Sequence, residues 1–217
     1  SHRKSDSLLL DRHGEVIHEL RVNSVGRRLD WTALQDISPA LQEAVVQAED
    51  RRFYHHAGVD YLAMTGALLR GVRSGGFRGA STITMQLSSM LDRHLLPIKG
   101  KRSLSQKWKQ MGAAFDIEGA WSKEQILEAY LNLVAYRGEL QGIAAASRAL
   151  FGKNPHGLIQ SEALILASLI RAPNASFDET KRRSVLLCEA LQWPVEIEDL
   201  DVGLRRIYLG PNPLEPR

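Results

Sequence analysis

The most apolar stretch of the chain, residues 163–170, constrains the possible folds more than any other feature. It reads A-L-I-L-A-S-L-I, which is long enough for about two helical turns. Ser161 is a good N-cap ahead of this stretch, and Pro173 ends the helix beyond it. A helix that is apolar on all sides has to be enclosed by other elements. We therefore expect this helix to form the core of the fold.

Helical patterns dominate the chain from Ser38 onward, whereas the N-terminal residues predict a short β-hairpin. Two apolar strands, 8–10 and 16–18, flank a polar turn that contains Gly14. The Pro-rich segment 193–217 is typical of a linker that leads to another domain. The pattern as a whole predicts a mainly α fold, with helices over residues 41–48, 61–72, 81–91, 122–134, 144–151 and 179–192.

Two helices carry further signals. One begins near Ser105 and places Trp108, Met111 and Phe115 on a single stripe. The other begins with a capping box formed by Ser122 and Gln125. The buried face predicted for this second helix consists of Ile126, Leu127, Tyr130, Leu131 and Val134.

Composition limits the class of protein. At 217 residues, the chain is long enough for one large domain or for one domain with a lobe. The net charge of +3 is too small for a polycation that binds nucleic acid, so we expect no such partner. The single cysteine, Cys188, lies among apolar residues and predicts a buried thiol. The sequence has no run of 18 apolar residues and no signal peptide, which fits a cytosolic protein or a domain separated from its membrane anchor.

Residues 49–60 read E-D-R-R-F-Y-H-H-A-G-V-D and concentrate acids, arginines, aromatics and histidines. Ser38 as N-cap and Pro39 as first residue predict a helix that ends near Glu49 and Asp50. Acids are disfavoured there, because the last turn of a helix carries partial negative charge. Two interpretations stay open at this point, a functional carboxylate and an ordinary charged surface turn.

A second unusual segment, residues 79–86, reads G-A-S-T-I-T-M-Q. Hydroxyl groups at a helix start could bind phosphate together with the free backbone N–H groups, or could simply cap the helix. Lys107 and Lys109 supply positive charge further along the chain. A carboxylate, a hydroxyl-rich cradle and lysines together predict a reaction in which Glu49 activates a hydroxyl nucleophile and a phosphate leaves.

These segments resemble the signatures of the peptidoglycan glycosyltransferases, glycosyltransferase family 51, and the resemblance covers residues 7–190. Segment 122–132 is similar to a later helix of the family, and segment 164–173 to its buried helix. Met85 and segment 138–143 resemble the 1C branch of the class A penicillin-binding proteins. The first signature, E-D-x-x-F-x-x-H-x-G, is filled by Glu49, Asp50, Phe53, His56 and Gly58, and the second, G-x-S-T-I-T-x-Q, by Gly79, Ser81, Thr82, Ile83, Thr84 and Gln86.

The resemblance implies a lysozyme-like helical domain over residues 1–192, with a smaller membrane-facing lobe at about 77–110. It implies inverting transfer on lipid II, in which Glu49 deprotonates the acceptor 4-hydroxyl and undecaprenyl pyrophosphate leaves. The implied partners are lipid II, the growing glycan strand, the membrane surface and a C-terminal transpeptidase domain in the full-length protein. The implied location is the periplasmic face of the bacterial inner membrane. The implied substrate-binding residues are Asp50, Phe53, His56, Ser81, Thr82, Thr84, Gln86, Lys107, Lys109 and Asn132.

The sequence departs from the family pattern in its third motif, R-K-x-x-E. Gln106 replaces the arginine, Gln110 replaces the glutamate, and Lys107 is retained. Ser89 also stands where a lysine commonly follows the second motif. Gln110 thus joins Glu49 as a catalytic candidate, although an amide can carry neither charge nor a transferable proton. The departures bear on turnover rate more than on substrate class.

Two other functions stay open from the sequence, a lysozyme-like glycan hydrolase and a non-catalytic module that binds lipid II. A hydrolase would also use a glutamate but would need no phosphate cradle. The sequence requires no cofactor, although Mg²⁺ or Mn²⁺ could help to neutralise pyrophosphate. Zinc binding by His55 and His56 is disfavoured, because adjacent histidines on one turn cannot easily share a metal, and His56 is better interpreted as a hydrogen-bonding residue.

Overall fold

A computed structural model describes residues 5–10, 12–13, 16–21, 26–66, 81–92, 95 and 104–209. The chain divides into two compact units. The first contains residues 1–44 and 131–217, and the second contains residues 45–130. Helices α1 (Pro39–Glu49) and α4 (Lys123–Leu133) each run across the boundary in sequence between the two units.

The first unit is built around helix α6 (Gln160–Arg171), which contains the apolar stretch and confirms its position in the core. Every residue at positions 161–170 is buried. The N-cap is Ile159, so the prediction that Ser161 caps the helix is wrong. The Glu162 carboxylate takes over the capping role, because its Oε2 accepts the Ile159 N–H at 3.1 Å.

Three further helices belong to the first unit. They are α5 (Ile143–Phe151), α7 (Phe177–Leu191) and α8 (Ile197–Leu209). Helices α7 and α8 both contact α6, and α8 also contacts α5. The hydroxyl of Ser176 caps α7, so that helix begins slightly earlier than the sequence predicts.

Helix α8 corrects the interpretation of residues 193–217 as a linker. Its residues Leu200 and Leu204 are buried, so residues 197–209 belong to the packed unit. The prolines that suggested a linker flank this helix and do not interrupt it. Residues 210–217 lie outside the described part of the chain.

Two antiparallel hairpins complete the first unit. Strands β1 (Asp6–Leu10) and β2 (Val16–Arg21) form the predicted N-terminal hairpin. Strands β3 (Ala135–Arg137) and β4 (Leu140–Gln141) form a second hairpin that the sequence did not predict, since these strands are very short. Gly142 follows it with φ +83°, and a Cβ at this position would lie 2.6 Å from the Asn132 carbonyl oxygen.

The second unit contains the end of α1, a 3₁₀ turn at Phe53–His55, helix α2 (Ile83–Leu91) and helix α3 (Leu104–Ala120). It also contains α4 up to residue 130, and residues 61–66 are helical. Helices α2 and α3 pack together. The small core between them consists of Val59, Met85, Met111 and Ala114, with Met64 packed against it.

The predicted stripe on α3 is wrong in part, because only Met111 of its three residues is buried. Trp108 is 70% exposed and Phe115 is 41% exposed. The buried face instead contains Gln110, Met111 and Ala114. Gln110 and Met111 are adjacent, and Ala114 lies about one helical turn further along. The sequence placed the stripe by apolar residues alone and could not anticipate a buried amide.

The capping box at the start of α4 is confirmed. Ser122 N donates to Gln125 Oε1 at 2.9 Å, and Gln125 N donates to Ser122 Oγ at 3.3 Å. The apolar residues predicted for this helix are all buried, with Val134 just past its end.

Much of the predicted membrane-facing lobe, residues 77–110, falls outside the described part of the chain. The undescribed segments there are 77–80, 93–94 and 96–103. Within the residues that the structure does describe, none of the helices is both long and apolar enough to span a bilayer.

Candidate active site

Glu49 is the last residue of α1, as the sequence predicted, and Gln86 of α2 holds its carboxylate. Gln86 Nε2 donates to Glu49 Oε2 at 2.9 Å. Tyr130 OH lies 3.0 Å from Gln86 Oε1 and donates to it. A carboxylate can only accept, so the amide nitrogen must face Glu49 and the amide oxygen must face Tyr130. The result is a relay of two hydrogen bonds that orients the Glu49 side chain.

Asp50 lies next to Glu49 but has a different environment. Both of its carboxylate oxygens lie 3.0 Å from His56 Nε2, and Oδ2 also accepts the Ile83 N–H at 3.0 Å. That N–H belongs to the first residue of α2, where a negative charge is stabilised by the helix dipole. The structure joins Asp50 and His56 in a buried contact beside the start of α2, and that both bind substrate stays a prediction.

The hydroxyl groups predicted to form a phosphate cradle at the start of α2 have hydrogen-bond partners within the protein, and their binding of phosphate stays a prediction. Thr82 is the N-cap: its Oγ1 accepts the Met85 N–H at 3.1 Å and donates to the Gly58 carbonyl at 2.5 Å. The Thr84 hydroxyl donates to Glu118 Oε1 at 2.6 Å. A hydroxyl has one hydrogen to donate, so neither threonine keeps one for a phosphate in this conformation. Ser81 is half-buried, and Gly79 lies outside the described residues.

Phe53 was also predicted to bind substrate, and the structure buries it completely. Lys123 Nζ lies 4.5 Å from the centroid of the Phe53 ring, which is a cation–π contact. The same ammonium group donates to the His56 carbonyl oxygen and to Glu118 Oε1, each at 2.6 Å. This cluster ties the 3₁₀ turn to α3 and α4. The contacts of Lys123 and Glu118 were not predicted from the sequence, although Lys123 is the second residue of the segment 122–132 that resembles a family helix.

The tyrosine beside Phe53 lies in a more open environment. Tyr54 is 53% exposed. Burial of its ring, followed by the nearby Glu124 carboxylate, raises the pKa of Tyr54 above its ordinary value. The phenol is therefore neutral at physiological pH and can act as a hydrogen-bond donor at this edge of the second unit.

Gln110 and Ser89, two of the departures from the family pattern, are hydrogen-bonded to each other. Gln110 is 1% exposed, and its Nε2 donates to Ser89 Oγ at 2.8 Å and to the Met85 carbonyl at 2.5 Å. Lys107 and Lys109 lie near the start of the same helix, the first half-buried and the second exposed.

Asn132 belongs to the first unit and has a structural role there. It is 1% exposed, its Oδ1 accepts the Thr32 N–H at 2.9 Å, and its Nδ2 donates to the Thr32 carbonyl at 2.8 Å. These two bonds pair the side-chain amide with an extended backbone segment. That Asn132 contacts substrate stays a prediction.

A cavity of about 240 Å³ opens beside His56 in the second unit. Arg52 and Asp60 line it and form an ion pair at 3.4 Å, and its apolar wall includes Tyr61, Leu62 and Phe115. Across the described residues, no cluster of three or more His, Cys, Asp and Glu side chains is arranged to hold a metal ion.

The chain is similar to proteins of bacterial cell-wall synthesis. A biosynthetic peptidoglycan transglycosylase of Mannheimia succiniciproducens is 37% identical over 76% of this chain and 64% of its own length. Penicillin-binding protein 1C of Escherichia coli is 41% identical over 65% of this chain and 18% of its own. Penicillin-binding protein 2D of Bacillus subtilis is 36% identical over 72% of this chain and 22% of its own. This chain thus spans less than two thirds of the length of each of these relatives.

The family comparison covers most of the described chain. The sequence profile of the family called Transglycosylase matches residues 13–192, a range that includes Glu49, α2, α3 and α4. The matched range ends just before α8 begins. The match shows that this chain belongs to the transglycosylase family.

Proposed function

We propose that this domain polymerises lipid II into glycan strands, with Glu49 as the general base and undecaprenyl pyrophosphate as the leaving group. Membership of the transglycosylase family and the names of the relatives support this reaction class. The observation that carries the proposal is the Glu49 carboxylate, which the Gln86 amide holds at 2.9 Å. A general base needs a carboxylate held in a fixed orientation, and this hydrogen bond supplies the orientation.

The Gln86 amide orients Glu49 without protonating it. A neutral amide N–H does not give up its proton at physiological pH, so this hydrogen bond orients the carboxylate without transferring a proton to it. In the proposed step, Glu49 takes the proton of the acceptor 4-hydroxyl while the hydroxyl oxygen forms a bond to C1 of the donor sugar. The bond between C1 and the pyrophosphate oxygen breaks with inversion, and the pyrophosphate carries away the electron pair.

The leaving group needs positive charge, because negative charge grows on its bridging oxygen as the bond to C1 breaks. Lys107 and Lys109 of α3 supply two ammonium groups for this purpose. We propose that they neutralise the pyrophosphate and that Mg²⁺ or Mn²⁺ is at most an additional counterion held by phosphate oxygens. Rates measured with added cation and with a chelator test this assignment.

The names of the relatives also support a place for the domain within a larger cell-wall protein. We propose that it acts at the periplasmic face of the inner membrane, on a lipid-anchored donor and a growing glycan strand. The membrane-facing surface would lie at about residues 77–110, and a transpeptidase domain would follow in the full-length protein.

The test is incubation of the purified chain with lipid II in detergent, followed by gel analysis of the glycan products. We expect polymer from the parent chain, and a loss of ~10²–10⁴-fold in rate from Glu49→Gln, the usual effect of removing a general base. Circular dichroism of the variant controls for folding. Retention of lipid II without polymer would favour the binding module, and release of reducing ends from purified glycan would favour the hydrolase.

A further inference from the structure

Several side-chain hydrogen-bond donors of the second unit meet at the carbonyl oxygen of Met85. It accepts from Gln110 Nε2 at 2.5 Å and from Ser88 Oγ at 2.8 Å, and Ser89 Oγ lies 3.5 Å from it. All four residues are buried. So many donors on a single helical carbonyl fix the position of that peptide group more firmly than the helix alone would.

This peptide group matters because it leads directly into Gln86. The Met85 carbonyl and the Gln86 N–H belong to the same rigid, planar unit. Gln86 in turn donates to Glu49 Oε2, so a displacement of the Met85 carbonyl would move the donor that orients Glu49. A continuous path of hydrogen bonds and one peptide group thus connects Gln110 of α3 with Glu49 of α1.

Gln110 enters this path as a donor. Its Nε2 carries two hydrogens, and both are used, one on Met85 O and one on Ser89 Oγ. Its Oε1 is buried and has no hydrogen-bond partner among the described residues. The orientation of the amide is therefore set by the two acceptors, because a flipped amide would place its oxygen against the Met85 carbonyl oxygen.

We propose that Gln110 is a positioning residue whose neutral amide joins α3 to α2 and thereby fixes Gln86 against Glu49. We call the two hydrogen bonds from Gln110 Nε2, to Met85 O and to Ser89 Oγ, the clasp. This proposal deepens the proposed function and rests on it. Gln110 then carries neither a proton nor a metal during the reaction, and Glu49 is the one carboxylate that the chemistry uses among the described residues. Ser89 and Gln110 form a matched neutral pair, at positions where the family pattern has a lysine and a glutamate.

The clasp requires a neutral hydrogen-bond donor at position 110. The carboxylate introduced by Gln110→Glu has no hydrogen to donate and would set a negative oxygen against the Met85 carbonyl. Burial favours the neutral form of such a group and raises its pKa. Only its protonated form can donate to Met85 O, so the variant should work at acidic pH and fail as pH rises. Adding Ser89→Lys supplies an ammonium group beside the carboxylate and should remove that alkaline loss.

The experiment compares initial polymerisation rates of the parent, Gln110→Glu, Ser89→Lys and the double variant between pH 5 and pH 9. We expect Gln110→Glu to lower kcat by ~10-fold or more at the alkaline end, the usual scale for a buried polar group left unpaired, with little change in KM. We expect kcat to recover toward acidic pH, and the double variant to lose this pH dependence. Gln35→Glu, the same exchange at an exposed position, should match the parent throughout.

Gln110→Met covers the case in which the charged variant fails to fold. Methionine has a side chain of similar length and lacks the two N–H donors of Gln110. We expect a lower kcat with no new pH dependence. A Gln110→Glu variant that equals or exceeds the parent rate at every pH, or a Gln110→Met variant with parental kcat, would overturn the proposal.

A readout that does not depend on activity separates this proposal from the proposed function. Amide hydrogen exchange over residues 83–91 should be faster in Gln110→Glu at pH 8 than in the parent, after correction for intrinsic exchange, and should approach the parental protection at pH 5. If the parent forms no polymer, the proposed function fails while this measurement still tests the clasp. Unchanged protection of α2 in both variants would show that the clasp does not exist.

Discussion

Lys123 Nζ and Glu118 Oε1 lie 2.6 Å apart, and the two side chains are only 19% and 9% exposed. This ion pair joins the end of α3 to the start of α4. The Lys123 ammonium also donates to the His56 carbonyl, and Glu118 accepts from Thr84. The pair therefore anchors both signature segments in the second unit.

We expect Lys123→Met to lower the free energy of unfolding by ~3 kcal/mol, because it leaves the Glu118 carboxylate buried without its counterion. Adding Glu118→Gln should recover part of the loss. Lys181→Met is the matched control, since its pair with Asp201 is about a third exposed and should be worth less than ~1 kcal/mol. Urea unfolding measures all the variants, and equal losses for Lys123→Met and Lys181→Met would contradict the assignment.

Gln86→Met should lower kcat by ~10-fold while the affinity for lipid II is kept, because it removes the hydrogen bond that orients Glu49. Tyr130→Phe removes only the hydroxyl that donates to Gln86 and should have a smaller effect in the same direction. Initial rates over a range of lipid II concentrations separate kcat from KM. If Gln86→Met raised KM alone, Gln86 would be a substrate contact and not an orienting residue.

Lys107→Ala should weaken the binding of undecaprenyl pyrophosphate by ~10-fold, since charge-assisted contacts to phosphate are among the stronger hydrogen bonds. The defect should lie mainly in affinity. Arg205→Ala removes an exposed cation in the first unit and serves as control for the change in net charge. Fluorescence or calorimetric titration gives the dissociation constants, and equal constants for the parent and Lys107→Ala would rule out this role.

Gly142→Ala should lower the free energy of unfolding by ~2–4 kcal/mol. The residue has φ +83°, and the added Cβ would meet the Asn132 carbonyl oxygen at 2.6 Å. Gly138→Ala is the matched comparison, because Gly138 has φ +53° but no atom lies within 4 Å of its Cβ position. We expect ~1 kcal/mol there. Similar losses at the two sites would mean that the contact with Asn132 relaxes at little cost.

Local patterns predicted the parts of this structure that depend on nearby residues. The apolar run at 163–170 predicted the core helix, and the Ser122–Gln125 spacing predicted the capping box of α4. The contacts of Asp50 with Ile83, of Thr84 with Glu118 and of Gln110 with Met85 could not be predicted, because each joins residues 25 or more positions apart. The spacing of apolar residues in the sequence indicates which side of a helix is apolar. It does not indicate which carbonyl a buried side-chain amide will donate to.

The hydrogen bonds within the two signature segments could not be predicted for the same reason. A signature that contains threonines, an aspartate and a histidine has the composition of a ligand site, and in this chain those groups satisfy one another. The position of Glu49 at a helix end was predicted correctly, because it follows from the local pattern of α1 alone, and its catalytic role stays a prediction.

The Asp50 carboxylate has a consequence for how an anionic lipid would be captured. It occupies the start of α2, the place where backbone N–H groups would otherwise receive a phosphate. In the proposed reaction, recognition of the anion would fall to the side chains of Lys107 and Lys109, and the electrostatic attraction of exposed charges is screened over ~8 Å at physiological ionic strength. The rate of encounter with the donor should therefore fall steeply as salt is added. The rate of the transfer step at Glu49, which is hydrogen-bonded by Gln86, should stay the same. Added salt would slow the binding of the donor and leave the rate of bond formation unchanged.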